Sequence, residues 1–274
     1  MEGLPELRGG PHDEPVGASL ARAPSDVADR DRSRDTPALN TAAPTRPAAV
    51  GLSVVIPVYN EQATIVEVIW RVLAQSLVTE VLVVNDGSTD ETASALGNVT
   101  WPPIVRLLTH ARNQGKGAAI RTGVAATTQA VIIVQDADLE YDPADYPAIL
   151  RPILAGQADV VYGSRFLLPR PYAFWLDLAN RCLTLATNVL YGVRLTDMET
   201  CYKAFRAEVL QRVRIRSDRF DFEPEITAKV LRQHLRIVEV PIAYQRRGYA
   251  GGKKIGMRDG FMALWALLRF RFRD

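Results

Sequence analysis

Two aspartates one residue apart, Asp136 and Asp138, close the run Val131–Asp138 (VIIVQDAD). The four residues before Gln135 are apolar and mostly branched at Cβ, which suits a strand buried on both faces. Side chains at i and i+2 of an extended segment share a face, so both carboxylates leave the strand end together. Such a pair suits a hard divalent cation that itself carries phosphates. Standing alone, the triplet reads more readily as a solvated turn, so its meaning depends on what else reaches the same edge.

Three further polar clusters follow apolar runs: Pro57-Val-Tyr-Asn-Glu61, Asn85-Asp-Gly-Ser-Thr-Asp90 and Asn113-Gln-Gly-Lys-Gly117. Lys116 supplies a cation for an anionic ligand. Gly115 and Gly117 permit close backbone approach, and a helix start behind them offers N–H groups toward phosphate; a plain turn is the other reading of the two glycines. Asp86 and Glu61 are suited to accept hydrogen bonds from ring N–H and ribose hydroxyl groups.

The elements that would position these groups alternate. Strands are predicted at Leu52–Val58, Val81–Val84, Ile104–Leu108 and Ala130–Gln135. Between them the pattern predicts helices over Glu61–Gln75, over Asp90 to about Leu96 with Thr89 as cap, and over Gly115–Thr127. This alternation predicts an α/β fold with a doubly wound, mostly parallel sheet. Ligands of such sheets sit beyond the carboxyl ends of the strands, where all four polar clusters fall.

The chain of 274 residues is long enough for a substantial core. Residues 1–50, rich in Pro, Gly, Ala, Asp and Arg without apolar periodicity, are expected to be a disordered tail. Cys182 and Cys201 have neither a framework of partners nor metal-ligand spacing, so a reducing cytoplasm is the default. His12, His110 and His234 are isolated and read as structural or exposed. Trp70 reads as core, whereas Trp175 and Trp265 suit either core or a membrane interface.

Charge divides the chain. Residues 1–150 hold 11 basic against 19 acidic side chains, and residues 151–274 hold 22 against 12. A net of −8 followed by +10 suggests an anionic partner for the second half. Its basic residues lack the aromatic interleaving of nucleic-acid binders, so no nucleic acid is expected. There the pattern predicts a strand at Val160–Gly163, a helix over Ala173–Val193, a loop running into a strand over Thr196–Phe205, a helix over Glu223–Gln233, a strand over Leu235–Ala243, a basic Gly-rich loop at Gln245–Lys254 and a helix over Ile255–Phe272. No run reaches the roughly 20 apolar residues that span a bilayer. The final helix and Ala173–Val193 either pack on the sheet or lie in the membrane interface.

In this order, the clusters above, with Gln135-Asp-Ala-Asp138, Tyr162-Gly-Ser-Arg165 and Thr196-Asp197, resemble the family 2 glycosyltransferases of GT-A fold. The tail Gly252-Lys-Lys-Ile-Gly-Met-Arg-Asp-Gly-Phe looks like the polyprenol (dolichol) phosphate mannosyltransferase-like branch. The resemblance implies a GT-A domain over residues 51–254, followed by a basic amphipathic segment at 255–274. It implies inverting transfer of a hexose from a nucleotide-sugar of GDP-mannose or UDP-glucose type to a polyprenyl phosphate, with Mg²⁺ or Mn²⁺ on Asp136 and Asp138. Pro57, Tyr59, Asn60, Glu61, Asp86, Gln135 and Asp136 would line the donor nucleotide, with Lys116 at its diphosphate. Ser164, Arg165, Arg181, Arg247 and Lys254 would hold the acceptor. Asp138, Lys116 and Asp197 would be the catalytic set.

A polyprenyl phosphate oxygen is already anionic at pH 7 and needs no general base, whereas a hydroxyl acceptor would need one. Asp197 and Glu199 are the second-half carboxylates expected to face the site. The basic second half favours the anionic acceptor. The rival readings are a glycosyltransferase acting on a soluble sugar or small phosphorylated hydroxy compound, a nucleotidyltransferase, which PVYNE after strand one disfavours, and a silent nucleotide-sugar-binding module. The expected location is cytoplasmic, peripheral on the inner face of the membrane.

Overall fold

The computed structural model describes residues 50–168, 174–246 and 257–273. The expected tail over 1–50, except for its last residue, lies outside the described residues, as do Arg247 and Lys254.

Strands β1 (Leu52–Val58), β2 (Val78–Asn85), β3 (Val105–Thr109), β4 (Val131–Val134), β5 (Val160–Ser164), β6 (Lys203–Arg206) and β7 (Ile237–Pro241) form one sheet in the order β3-β2-β1-β4-β6-β5-β7. All neighbours are parallel except β6, which runs antiparallel to both β4 and β5. The helices are α1 (Ile65–Leu73), α2 (Thr92–Gly97), α3 (Lys116–Ala126), α4 (Tyr146–Leu154), α5 (Phe174–Tyr191), α6 (Ala207–Arg212), α7 (Phe222–Arg232) and α8 (Met257–Phe272). This is the doubly wound, mostly parallel sheet that the alternation of strands and helices predicts. β1, β2 and β4 are buried almost throughout, which explains their continuous apolar runs and places them at the centre of the core.

Order reverses between β1, which is flanked by β2, and β4. β1 stays paired with β2 to Val58↔Asn85 but loses β4 after Val55↔Val134. The two strands thus part at their carboxyl ends and open a crevice at the switch point. Pro57 lies in that unpaired stretch of β1, so its missing N–H breaks no bond to β4.

The structure corrects several local expectations. α4 and α6 were not anticipated; α4 carries prolines at its second position and inside it, which masks the helical pattern. α2 is not capped by Thr89; Asp90 Oδ1 accepts the Thr92 N–H at 3.0 Å. Trp70 is 47% exposed and packs against Trp101 with the two rings tilted, rather than entering the core.

Candidate active site

The β1 and β2 ends are laced into one surface. Asn60 sits at φ 53°, a left-handed conformation that Asn tolerates, and its Oδ1 accepts the Thr89 N–H at 2.8 Å. The Asn60 N–H donates to Ser88 Oγ at 3.0 Å, and the Glu61 N–H to Thr92 Oγ1 at 2.9 Å. Tyr59, Asn60 and Glu61 are half-buried along this surface, whereas Pro57 is buried inside β1 and contributes backbone shape alone.

Asp86 is drawn inward. It is 2% exposed; Oδ1 accepts from Gln114 N at 2.9 Å and faces His110 Nδ1 at 2.6 Å, while Oδ2 accepts from Gly115 N at 2.7 Å. Its carboxylate therefore fixes the 113–115 loop rather than presenting an acceptor to a base. His110, whose Nε2 meets Thr122 Oγ1 at 2.9 Å, completes this bracket.

The two loop glycines approach backbone, but that of this chain itself. A Cβ on Gly115, at φ 102°, would stand 2.2 Å from Asp218 O, and one on Gly117 would stand 2.3 Å from Ser217 O. The Ala118 N–H at the start of α3 donates to Asp218 O at 3.2 Å, so this helix end is partly occupied. Glu225 of α7 holds the opposing segment through Arg216 N (2.8 Å) and Ser217 N (2.6 Å).

This packing delivers Lys116 to β4. Its Nζ lies 2.9 Å from Asp136 Oδ1 and 3.0 Å from Glu223 Oε1. Burial opposes the ammonium charge, yet the carboxylates of Asp136 and Glu223 hold it well above the usual lysine range. Glu223, at the start of α7, is the partner of Lys116 that sequence reasoning missed. Acidic residues in a first helical turn read as ordinary dipole complements, and here that reading hid a buried partner. Burial, then Asp136, pushes the Cys201 thiol well up, so it stays protonated and unreactive.

Asp136 and Asp138 are both half-buried at the β4 end. Asp138 Oδ1 accepts the Glu140 N–H at 3.1 Å across Leu139, which sits at φ 62°. Thr64 Oγ1 ties α1 to this turn through Ala137 O at 2.7 Å. Among the described residues no group of three or more His, Cys, Asp or Glu forms a metal cage. The hard-oxygen pair fits a Mg²⁺- or Mn²⁺-like ion whose remaining ligands are phosphate oxygens and water. Gln135 does not join them: it is wholly buried, and its Oε1 accepts from Tyr146 Oη at 2.8 Å and Tyr202 Oη at 2.6 Å. It pins the strand end from below.

Across the crevice, Arg165 and Asp197 form a buried two-pronged pair. Arg165 Nε donates to Asp197 Oδ2 and Nη2 to Oδ1, each at 2.7 Å, and the Arg165 N–H adds 2.9 Å to Oδ2. Glu239 of β7 accepts from Asp197 N at 3.0 Å and Thr196 N at 2.8 Å, fixing the loop. Asp197 is fully buried with both oxygens taken, a positioning group rather than an available base. Arg165, read as an acceptor ligand, is first of all its partner, and Nη1 is the guanidinium nitrogen left outside the pair. Ser164 is also fully buried, bonded to Thr196 Oγ1 at 2.6 Å. Arg181 of α5 is exposed and stacks 4.6 Å from the Phe166 ring, against which Arg165 also lies at 5.8 Å.

Glu199 stands nearby with Oε1 buried and without a hydrogen-bond partner among the described residues. Burial, then Glu223, pushes its carboxyl up to about 7, against the pull of Lys203 and Arg165. Burial lowers the Lys203 ammonium, which donates to Met198 O at 2.9 Å and to Thr200 O.

The chain is similar to known proteins in sequence and fold. Over 237 residues the chain is 29% identical to the undecaprenyl-phosphate mannosyltransferase of Micrococcus luteus, covering 79% of this chain and 97% of that one. It is 27% identical over 227 residues to the dodecaprenyl-phosphate galacturonate synthase of Rhizobium johnstonii, covering 81% of this chain but 66% of that protein. Its fold matches glucosyl-3-phosphoglycerate synthase from Mycobacterium tuberculosis, solved with Mn²⁺, uridine diphosphate and phosphoglyceric acid, at TM-score 0.64 and 22% identity, over 82% and 79% of the two chains. The model of glycosyl transferase family 2 matches residues 53–214, more than half of the chain and the span that carries both sides of the crevice, and the chain belongs to that family.

Proposed function

We propose that this glycosyltransferase moves a hexose from a nucleotide-sugar of GDP-mannose or UDP-glucose type to a polyprenyl phosphate, with inversion at the anomeric carbon. The observation that carries this reading is the state of Asp197: both oxygens are committed to Arg165. A site whose expected base is so committed suits an acceptor that arrives anionic and needs no deprotonation. The relatives from Micrococcus and Rhizobium, named for undecaprenyl and dodecaprenyl phosphates, support it.

The donor's diphosphate would lie beyond β4, against Asp136, Asp138 and Lys116. A cation held by the two aspartates would stabilise the charge that develops on the departing nucleoside diphosphate. Lys116, fixed between Asp136 and Glu223, holds a positive charge ready at the same place and needs no reorganisation. Tyr59, Asn60 and Glu61 form the wall along which the nucleotide would run. On the acceptor side Arg181, with Arg165 Nη1, would orient the phosphate so that an oxygen faces the anomeric carbon. Reaching a lipid acceptor would bring the protein into peripheral contact with a membrane.

A hydroxyl acceptor is the second reading. Glu199 favours it, because a carboxyl pushed to about 7 with an unmatched oxygen is suited to take a proton. The test is transfer of labelled sugar from a panel of GDP- and UDP-sugars with Mn²⁺ or Mg²⁺, with and without short-chain polyprenyl phosphate. Label is expected to enter the organic phase with one donor and only when the lipid is present. Label appearing instead in a water-soluble glycoside would overturn the lipid reading and bring Glu199 forward.

A further inference from the structure

Two helices of the second half leave apolar stripes uncovered. On α5, Leu178, Leu185 and Val189 are exposed, the last two by 63% and 75%. On α8, Phe261, Trp265, Leu268 and Phe272 follow one another at i, i+4, i+7 and i+11, and the three aromatics are 73%, 65% and 78% exposed. This spacing confines each stripe to one face of its helix. The other face of α8 is firmly packed. Ala263, Ala266, Leu267 and Phe270 are buried, Tyr191 Oη donates to Leu267 O at 2.7 Å, and Arg232 Nη1 donates to Phe270 O at 3.1 Å. The stripe is therefore not a fraying end. The three aromatics alone leave about 300–500 Å² of ring surface in water, as much as the largest patch of an ordinary monomer, about 300–600 Å².

Charge selects the occupant. Arg194, just beyond α5, and Arg269, Arg271 and Arg273 at the end of α8 are all exposed. Asp177, an acidic residue of α5, is taken by Arg246 at 2.5 Å. A second copy of the chain would set these arginines against one another, whereas an anionic bilayer neutralises them. No described helix is long and apolar enough to cross a membrane. Helices with an apolar stripe and flanking arginines lie flat in the headgroup region. α5 also carries Arg181, one turn from both Leu178 and Leu185, so the stripe continues into the acceptor side of the crevice.

We propose that the α5–α8 face seats the protein on an anionic bilayer, both helices lying in the interface with their apolar stripes among the acyl chains. The proposal deepens the lipid-phosphate reading and rests on it only for its purpose, since docking is measured without turnover. The experiment is flotation of the full chain with phosphatidylglycerol-containing and pure phosphatidylcholine vesicles, beside transfer to a short-chain, water-soluble polyprenyl phosphate. Wild type is expected to float with the anionic vesicles and to be released by salt. Val189→Asp/Trp265→Asp, both at exposed positions, is expected to lose vesicle binding at least tenfold while keeping transfer to the short-chain acceptor. Equal flotation of the variant, or no flotation of wild type, overturns the proposal. So does a wild-type dimer that the variant dissolves without any change in vesicle binding. If wild type floats but transfers nothing to the short-chain acceptor, docking stands and the acceptor reading fails.

Discussion

The two sides of the crevice are built on different principles. The donor side is a row of neighbouring strand ends whose loops are bonded to one another or turned on themselves: Asn60 to Thr89, Asp86 to Gln114 and Gly115, Asp138 to Glu140. The other side is built around one buried ion pair: Arg165 meets Asp197, Glu239 holds the Asp197 backbone, and Arg181 arrives on a helix. A nucleoside diphosphate carries concentrated negative charge, which a preorganised rim of loops can meet. A lipid phosphate would come from a surface, and the side proposed to meet it carries exposed apolar and basic groups.

The largest effect should come from the donor side. Asp138→Ala is expected to lower kcat/KM about a thousandfold with little change in melting temperature, since the side chain is only half-buried. Near-full activity would remove the β4 end from the chemistry.

Arg165→Ala should instead act through the fold. It strands a fully buried Asp197 and is expected to cost about 3–5 kcal/mol in urea unfolding. Arg165→Lys should rescue little, because an ammonium cannot reproduce the two-pronged contact, and Arg165→Leu/Asp197→Leu should recover most of the loss. A cost near zero for Arg165→Ala would show a solvated pair and return Arg165 to the acceptor. Gly117→Ala comes next. Its methyl group would stand 2.3 Å from Ser217 O, for an expected loss of about 1–3 kcal/mol and weaker donor binding as Lys116 shifts. Unchanged stability would mean that the 217–218 segment yields freely.

The smallest effect is one of pH. The Glu199 carboxyl is raised from 4.5 to about 7 in the folded chain. Across that window the native state keeps a proton that the unfolded state has lost, so this contribution is full at the acid end and declines as pH rises. Glu199→Gln should come close to wild type in melting temperature at pH 4.5 and exceed it by several degrees at pH 8, the gap widening through the window. A constant difference across the range would show that Glu199 does not titrate there. The same variant should spare transfer to a phosphate acceptor but not to a hydroxyl.

Long-range partners on both sides limited how much could be read from sequence. β1 and the β4 end were legible because buried parallel strands are short apolar runs, and their loops carry chemistry at fixed offsets. Roles within those loops were less so: Gln135 and Asp86 turned out to face inward, because the partners that claim them, Tyr146, Tyr202 and the 113–115 backbone, are distant in sequence. Glu223 was invisible for the same reason, lying 107 residues from Lys116. Nothing local marks Arg165 as the partner of Asp197 rather than of a ligand. Long-range pairing, not propensity, made the difference.

The account therefore turns on Arg181, the exposed guanidinium on the acceptor side. Kinetics of Arg181→Ala with nucleotide-sugar and short-chain polyprenyl phosphate measure it directly. The predicted result is a rise of about tenfold or more in the acceptor KM, as expected for one charge-assisted phosphate contact, with the donor KM unchanged. A rise in donor KM with the acceptor KM intact would contradict the division of the crevice into these two sides.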